Sequence, residues 1–189
     1  MEICLYFGSF NPIHHGHLIV ASHVLHQETV DQIWFVVSPQ NPFKKESGLL
    51  NAYQRLFLTR LATEGMAGFR VSDVEFSLPL PSYTIDTVEF LEQKFPEHRF
   101  SLLLGSDSMQ NVDKWKRSKC LFRDRRIFIY PRDGHPIKEE KPQGWLICHA
   151  PMMNISASLI RKIIKENGSI RYYVPENVRN EIEMSGYYR

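Results

Sequence analysis

Cysteine is scarce in this chain: three residues in 189, Cys4, Cys120 and Cys148, with no pair spaced as CxxC. An odd, scattered set gives no disulfide framework and reads as buried free thiols in a reducing compartment. Long apolar runs are missing as well. No stretch approaches the ~20 residues a membrane span needs, and Glu2 stands where a signal peptide would carry positive charge. The expectation is a cytoplasmic protein with no membrane partner. Charge of one sign is also lacking, since 23 Lys and Arg face 21 Asp and Glu for a net charge of +2. Such a chain has no global field to draw it to nucleic acid. Any anionic ligand must be met by locally placed positive groups. Finally, there is no internal repeat and no linker long enough to divide the chain, so residues 1–189 are expected to form one domain.

What the chain does have is enough apolar material for a core: 43% hydrophobic and 12% aromatic residues, which sets aside disordered and low-complexity classes. Short apolar runs at Ile3–Phe7, Ile33–Val37, Arg70–Val74, Phe100–Leu104, Ile127–Tyr130 and Trp145–Cys148 read as strands. Between them lie helical patterns at Leu18–His26, Ala52–Ala62 and from Tyr83 through Phe95, where Ser82 or Thr84 is placed to cap the start. Two further helices, Ser156–Glu166 and Pro175–Met184, end the chain. This alternation predicts an α/β fold: a doubly wound, mostly parallel sheet, Rossmann-like, with a helical C-terminal end over residues 156–189.

In such sheets ligands sit outside the carboxyl ends of the strands. The first of these turns is Gly8-Ser9-Phe10-Asn11-Pro12-Ile13-His14-His15-Gly16-His17, running straight into a helix. Gly8 permits a sharp exit from the strand, Pro12 stiffens the loop, and Gly16 lets a ligand approach the backbone. A helix N-terminus presents free N–H groups and partial positive charge. His14 and His17, three residues apart, can point to one side of it, so that two imidazoles and oriented amides would hold a polyphosphate. A metal site and an ordinary capping histidine are the other readings, and the nearest carboxylate after the histidines, Glu28, is far from ligand spacing.

A second strand-to-helix turn, Ile155-Ser156-Ala157-Ser158-Leu159-Ile160-Arg161, has its apolar stripe at Leu159, Ile160, Ile163 and Ile164. Ser158 and Arg161, at i and i+3, then share a different face. A hydroxyl, a guanidinium and free amides can hold further phosphate oxygens. An N-cap serine with a solvated arginine is the plainer alternative.

The pair GxFxPxHxGH and, ~140 residues later, ISxSxIR resembles the nucleotidyltransferase superfamily of adenylyl- and cytidylyltransferases. Ser9 and Ser158 stand where many members have Thr. The middle of the chain, Pro81-Ser82-Tyr83-Thr84, Gly105-Ser106-Asp107-Ser108, Trp115 and Tyr130-Pro131-Arg132-Asp133-Gly134, is similar, in order and nearly end to end, to the bacterial nicotinate-nucleotide adenylyltransferases. Two departures are Lys116, where members often have Tyr, and Phe43, which replaces a frequent His.

That resemblance implies a reaction of ATP with nicotinate mononucleotide to give deamido-NAD and pyrophosphate. It implies catalytic roles for His14, His17 and Arg161, with His17 on the α-phosphate and Arg161 with Ser158 on the departing phosphates. The ATP side would comprise Gly8, Ser9, Phe10, Gly16, Asp107, Ile155, Ser156 and Ser158, Asp107 accepting from a ribose hydroxyl or else capping its helix. The mononucleotide side would comprise Lys44, Tyr83, Thr84 and Trp115, with Trp115 stacking on the ring or else packing a helix. Mg²⁺ would bridge phosphate oxygens without dedicated protein ligands. A homo-oligomer is compatible with the sequence. The alternatives are a nicotinamide-mononucleotide or phosphopantetheine adenylyltransferase, a non-catalytic nucleotide-binding protein of the same fold, and a histidine-based metal module.

Overall fold

The computed structural model describes residues 1–40, 48–137 and 144–189. In chain order the elements are β1 (Glu2–Gly8), α1 (His15–Gln27), β2 (Gln32–Val37), α2 (Ala52–Thr63), β3 (Phe69–Ser72), α3 (Thr84–Lys94), β4 (Arg99–Gly105), α4 (Ser106–Met109), α5 (Ser118–Arg123), β5 (Ile127–Tyr130), β6 (Trp145–Ile147), α6 (Ala157–Lys165) and α7 (Glu176–Ser185). The strands form one sheet in the order β3-β2-β1-β4-β5-β6, and each neighbouring pair is parallel.

Strands buried on both faces read as continuous apolar runs, and their side chains divide by the two-residue period. Cys4, Tyr6, Ile33, Phe35, Leu103 and Phe128 pack on one face, with Val20 and Val24 of α1, Ile160 and Ile164 of α6, and Val178 and Ile182 of α7. Ile3, Leu5, Trp34, Val36, Leu102, Leu104, Ile127 and Ile129 pack on the other, with Ile85, Val88 and Leu91 of α3 and Leu121 of α5. Helices therefore cover both faces. Because β1 leads outward to β2 and β3 while the chain returns through α3 to β4 on β1's other side, the strand order reverses between β1 and β4. The carboxyl ends Gly8 and Gly105 diverge there, which opens the crevice that such a reversal creates.

Several boundaries differ from the expected ones. β3 ends at Ser72, and Val74 begins a single 3₁₀ turn, Val74–Ser77. Neither Ser82 nor Thr84 caps α3: Tyr83 is the flanking residue and makes no side-chain cap bond. The Ser82 hydroxyl is spent instead on the buried carboxylate of Glu75, at 2.7 Å, which also accepts from Thr87 at 2.9 Å. Cys4 and Cys148 are buried, but Cys120 is exposed, because its short helix α5 buries only Leu121 and Phe122. The six described strands are all parallel, in keeping with the expected doubly wound sheet.

One polar residue ties the loops at the crevice together. Arg55 of α2 is fully buried and donates to the carbonyls of Ser9 (2.5 Å), Ser38 (2.9 Å), Pro39 (2.9 Å) and Leu50 (2.9 Å). Burial lowers its pKa to about 10, which leaves it charged at neutral pH. Replacing Arg55 by Ala strands buried carbonyls without donors, a cost of about 3 kcal/mol. Urea unfolding of Arg55→Ala will show a loss of that order, and wild-type stability would refute the clamp.

Candidate active site

At the reversal point lies a cleft of about 520 Å³ whose walls bring together the ends of β1 and β4, the start of α3, the turn after β5 and the start of α6. Gly8, Ser9, Phe10, His14, His17, Tyr83, Thr84, Asp107, Trp115, Ser156, Ser158 and Arg161 all line it. Gly16 and Ile155 do not. Lys44 and Phe43 lie outside the described residues.

Gly16 lies close against the side chains of His14 and Ile155. A Cβ at this position would sit 3.0 Å from the His14 ring nitrogen Nδ1, with Ile155 at 3.8 Å behind. Glycine makes room for the imidazole. His14 flanks α1 in extended conformation, and its ring stacks on that of His17 with centroids 3.7 Å apart. The His14 backbone N–H donates to Nδ1 of His17 at 3.3 Å, so a neutral His17 carries its proton on Nε2.

His14 is 3% exposed, and burial, aided by the positive charge of Arg132 and by His15, lowers its pKa to about 3. It is neutral at physiological pH. Two stacked imidazolium rings would repel, and one neutral ring removes that cost.

From the other side, Ser156 caps α6 by accepting from the Leu159 N–H at 3.1 Å. Arg161 donates to the Ser158 hydroxyl at 3.2 Å and to the Asn11 carbonyl at 2.7 Å. Ser158 and Arg161 therefore do share a face, and the guanidinium is oriented by the first loop, 150 residues earlier in sequence. Asn11 in turn donates to the Gly48 carbonyl at 2.9 Å and accepts from the Leu50 N–H at 3.1 Å.

Asp107, in the first turn of α4, faces Arg132 at 3.4 Å rather than capping that helix. A side chain at Gly105 would collide with the Asp107 carboxylate and approach Arg132 Nε to 2.9 Å. Arg132 lines the cleft too, and its Nε is buried without a hydrogen-bond partner. Arg132 and Glu75 are cleft residues that sequence reasoning passed over. A basic residue in the turn after a strand end signalled the first; Glu75, buried in a 3₁₀ turn, left no pattern. Trp115 packs on Phe122 with ring centroids 5.8 Å apart and also lines the cleft.

Among the described residues no group of three or more His, Cys, Asp or Glu side chains converges as a metal-binding set.

Residues 5–163 match the cytidylyltransferase-like family model, which places this parallel-sheet fold in the nucleotidyltransferase class. A protein of Flavobacterium psychrophilum named "Probable nicotinate-nucleotide adenylyltransferase" is 42% identical over the full length of both chains. A protein of the same name from Cytophaga hutchinsonii is 40% identical, covering 100% of this chain and 98% of its own. The chain belongs to the nicotinate-nucleotide adenylyltransferase family. In fold it is similar to the Plasmodium falciparum nicotinic acid mononucleotide adenylyltransferase complexed with NaAD, with a TM-score of 0.81, 21% identity and coverage of 99% and 97% of the two chains. No described helix is long and apolar enough to cross a membrane.

The buried His14 gives a signed pH effect. Its folded pKa, about 3, lies below the ordinary 6.5, so between these values the unfolded chain binds a proton that the native one does not. Stability then falls as pH drops through that window, by at most about 1.4 kcal/mol per unit, and is unaffected above it. Denaturation of wild type and His14→Gln between pH 4 and 7 will show the steeper decline in wild type; parallel curves would contradict a buried neutral imidazole.

Proposed function

We propose that this protein transfers the adenylyl group of ATP to nicotinate mononucleotide, releasing pyrophosphate and forming deamido-NAD. The observation that carries this reading is the convergence of His14 and His17 with Ser158 and Arg161 on one cleft at the β1/β4 switch point, in a chain of this family.

The nucleophile is the phosphate of the mononucleotide, and its second pKa near ~6 leaves it largely ionised at pH 7. No general base is needed. What remains for the protein is to align two anions in line and to stabilise charge as it spreads over the phosphate oxygens. His17, with Nε2–H as donor, is assigned to the α-phosphate. His14 supports it as a neutral partner, and the first amides of α1 add to the same anion site. Arg161 and Ser158 take the departing β- and γ-phosphates, with Ser156 closing the turn. Asp107 is assigned to the ribose of ATP, while Gly8, Ser9, Phe10, Gly16 and Ile155 shape the ATP side. Tyr83 and Thr84 at the start of α3, together with Trp115, form the pyridine end, where helix amides suit a carboxylate. Mg²⁺ carried on the phosphates supplies charge neutralisation when bound. The three free thiols, two of them buried, support a reducing, cytoplasmic setting.

Replacing His17 by Ala is expected to lower kcat by about 10²-fold or more with the fold intact. Near-normal turnover with unchanged circular dichroism would remove this residue from the reaction. Substrate choice is tested by pyrophosphate release from ATP with nicotinate or nicotinamide mononucleotide in competition. We expect kcat/KM to favour the carboxylate by about 10²-fold, whereas preference for the amide would assign the protein to the other substrate. Nucleotide binding without turnover would assign it to a non-catalytic role.

A further inference from the structure

We propose that Lys116 is a specificity-determining residue, whose ammonium favours a carboxylate-bearing ring over the corresponding amide at the pyridine end of the cleft. The inference rests on the assignment of that end to Tyr83, Thr84 and Trp115.

The local backbone places this side chain. Trp115 is extended (φ −75, ψ 143), and Arg117 takes the left-handed conformation (φ 50, ψ 40) as it opens α5. The reversal sends the two consecutive basic side chains to successive turns of α3. Arg117 pairs with Glu89 at 2.8 Å, on the outer turn. Lys116 pairs with Asp86 at 2.7 Å, in the first turn. From there its Nζ lies 4.8 Å from the centroid of the Tyr83 ring, and the residue lines the same cleft as Tyr83, Thr84 and Trp115. The neighbouring carboxylate Glu75 is already engaged by Ser82 and Thr87.

The resulting arrangement is a cation held over an aromatic face by one acidic partner. Side chains in the Lys116–Asp86 pair are 43% and 38% exposed, so water screens it and exchanging one carboxylate partner for another costs little. An ammonium on a flexible four-carbon stem can swing from Asp86 toward an incoming ring carboxylate without backbone movement. A carboxamide offers only a dipole in its place. The first amides of α3 can donate to either a carbonyl or a carboxylate oxygen, so the Lys116 charge adds to whatever preference the helix start supplies. This contribution is electrostatic and long-ranged enough to be weakened by salt.

The test compares kcat/KM for nicotinate and nicotinamide mononucleotides, at saturating ATP, in wild type, Lys116→Gln and Lys116→Arg. Thermal melting checks that each variant is folded. The Gln variant is expected to lose about three- to tenfold of the nicotinate preference, through a higher KM for nicotinate mononucleotide with KM for ATP unchanged. The Arg variant should keep most of the preference. In wild type the preference should fall as NaCl is raised, and in Lys116→Gln it should not. A nicotinate preference undiminished in Lys116→Gln, reduced equally in Lys116→Arg, or insensitive to salt in wild type overturns the assignment. Absence of pyrophosphate release from wild type with either mononucleotide would instead overturn the adenylyl-transfer reading and this one with it.

Discussion

The cleft depends on a buried cation with no ion-pair partner among the described residues. Arg55 lies in the first two turns of α2, yet its guanidinium reaches under the carboxyl ends of β1 and β2 to four carbonyls in three separate segments. A carboxylate partner would neutralise the charge at one point. Carbonyl dipoles spread its stabilisation over Ser9, Ser38, Pro39 and Leu50, so the loop after β1 holds its shape only if the loop after β2 and the start of α2 hold theirs. Burial of a charge is costly unless it is fully hydrogen-bonded, and that cost penalises any arrangement in which one of these segments drifts away.

Arg161 does from above what Arg55 does from below. Its bond to the Asn11 carbonyl joins the start of α6 to the first loop, and Asn11 passes the connection on to Gly48 and Leu50. The backbone N–H of His15 donates to the Tyr173 carbonyl at 3.0 Å, so the C-terminal region also anchors the first turn of α1. Ile160, Ile164, Val178 and Ile182 share one core with Val20 and Val24. The two phosphate-type turns, far apart in sequence, are thereby fixed against each other by packing and by two arginines. Adenylyl transfer of the kind proposed asks for that rigidity, since alignment and charge stabilisation are all the protein contributes.

Residue patterns made the sheet legible, because each buried parallel strand is a short continuous apolar run, and Ile127–Tyr130 is found where its pattern puts it. The short helices α4 and α5 left no such trace, since four and six residues are too few to display a helical period. Side-chain partners were less legible still. Ser82 looks like a cap by position, but the buried carboxyl of Glu75, seven residues away, takes its hydroxyl instead. Gly16 gave no sign in the sequence of its close approach to the ring of His14. Motif spacing located the cleft; it could not tell which polar groups are consumed in holding it open.

That distinction explains how a chain of nearly balanced charge can present a site for polyanions. Of the basic groups around the cleft, Arg55 is committed to carbonyls, His14 is kept neutral by burial, and Lys116 is shared with Asp86. Arg132 faces Asp107 at 3.4 Å, yet its buried Nε has no hydrogen-bond partner. Lys116, Arg132 and Arg161 are each held by a replaceable acceptor, so an arriving phosphate or carboxylate can exchange with a carboxylate, hydroxyl or carbonyl already at hand and does not meet bare, repelling charge. A strongly basic cleft would bind anions more tightly in the ground state and would gain no transition-state selectivity from it. A cleft whose cations are already placed, and only loosely partnered, keeps its strongest interactions for the moment when charge on the phosphates is redistributed.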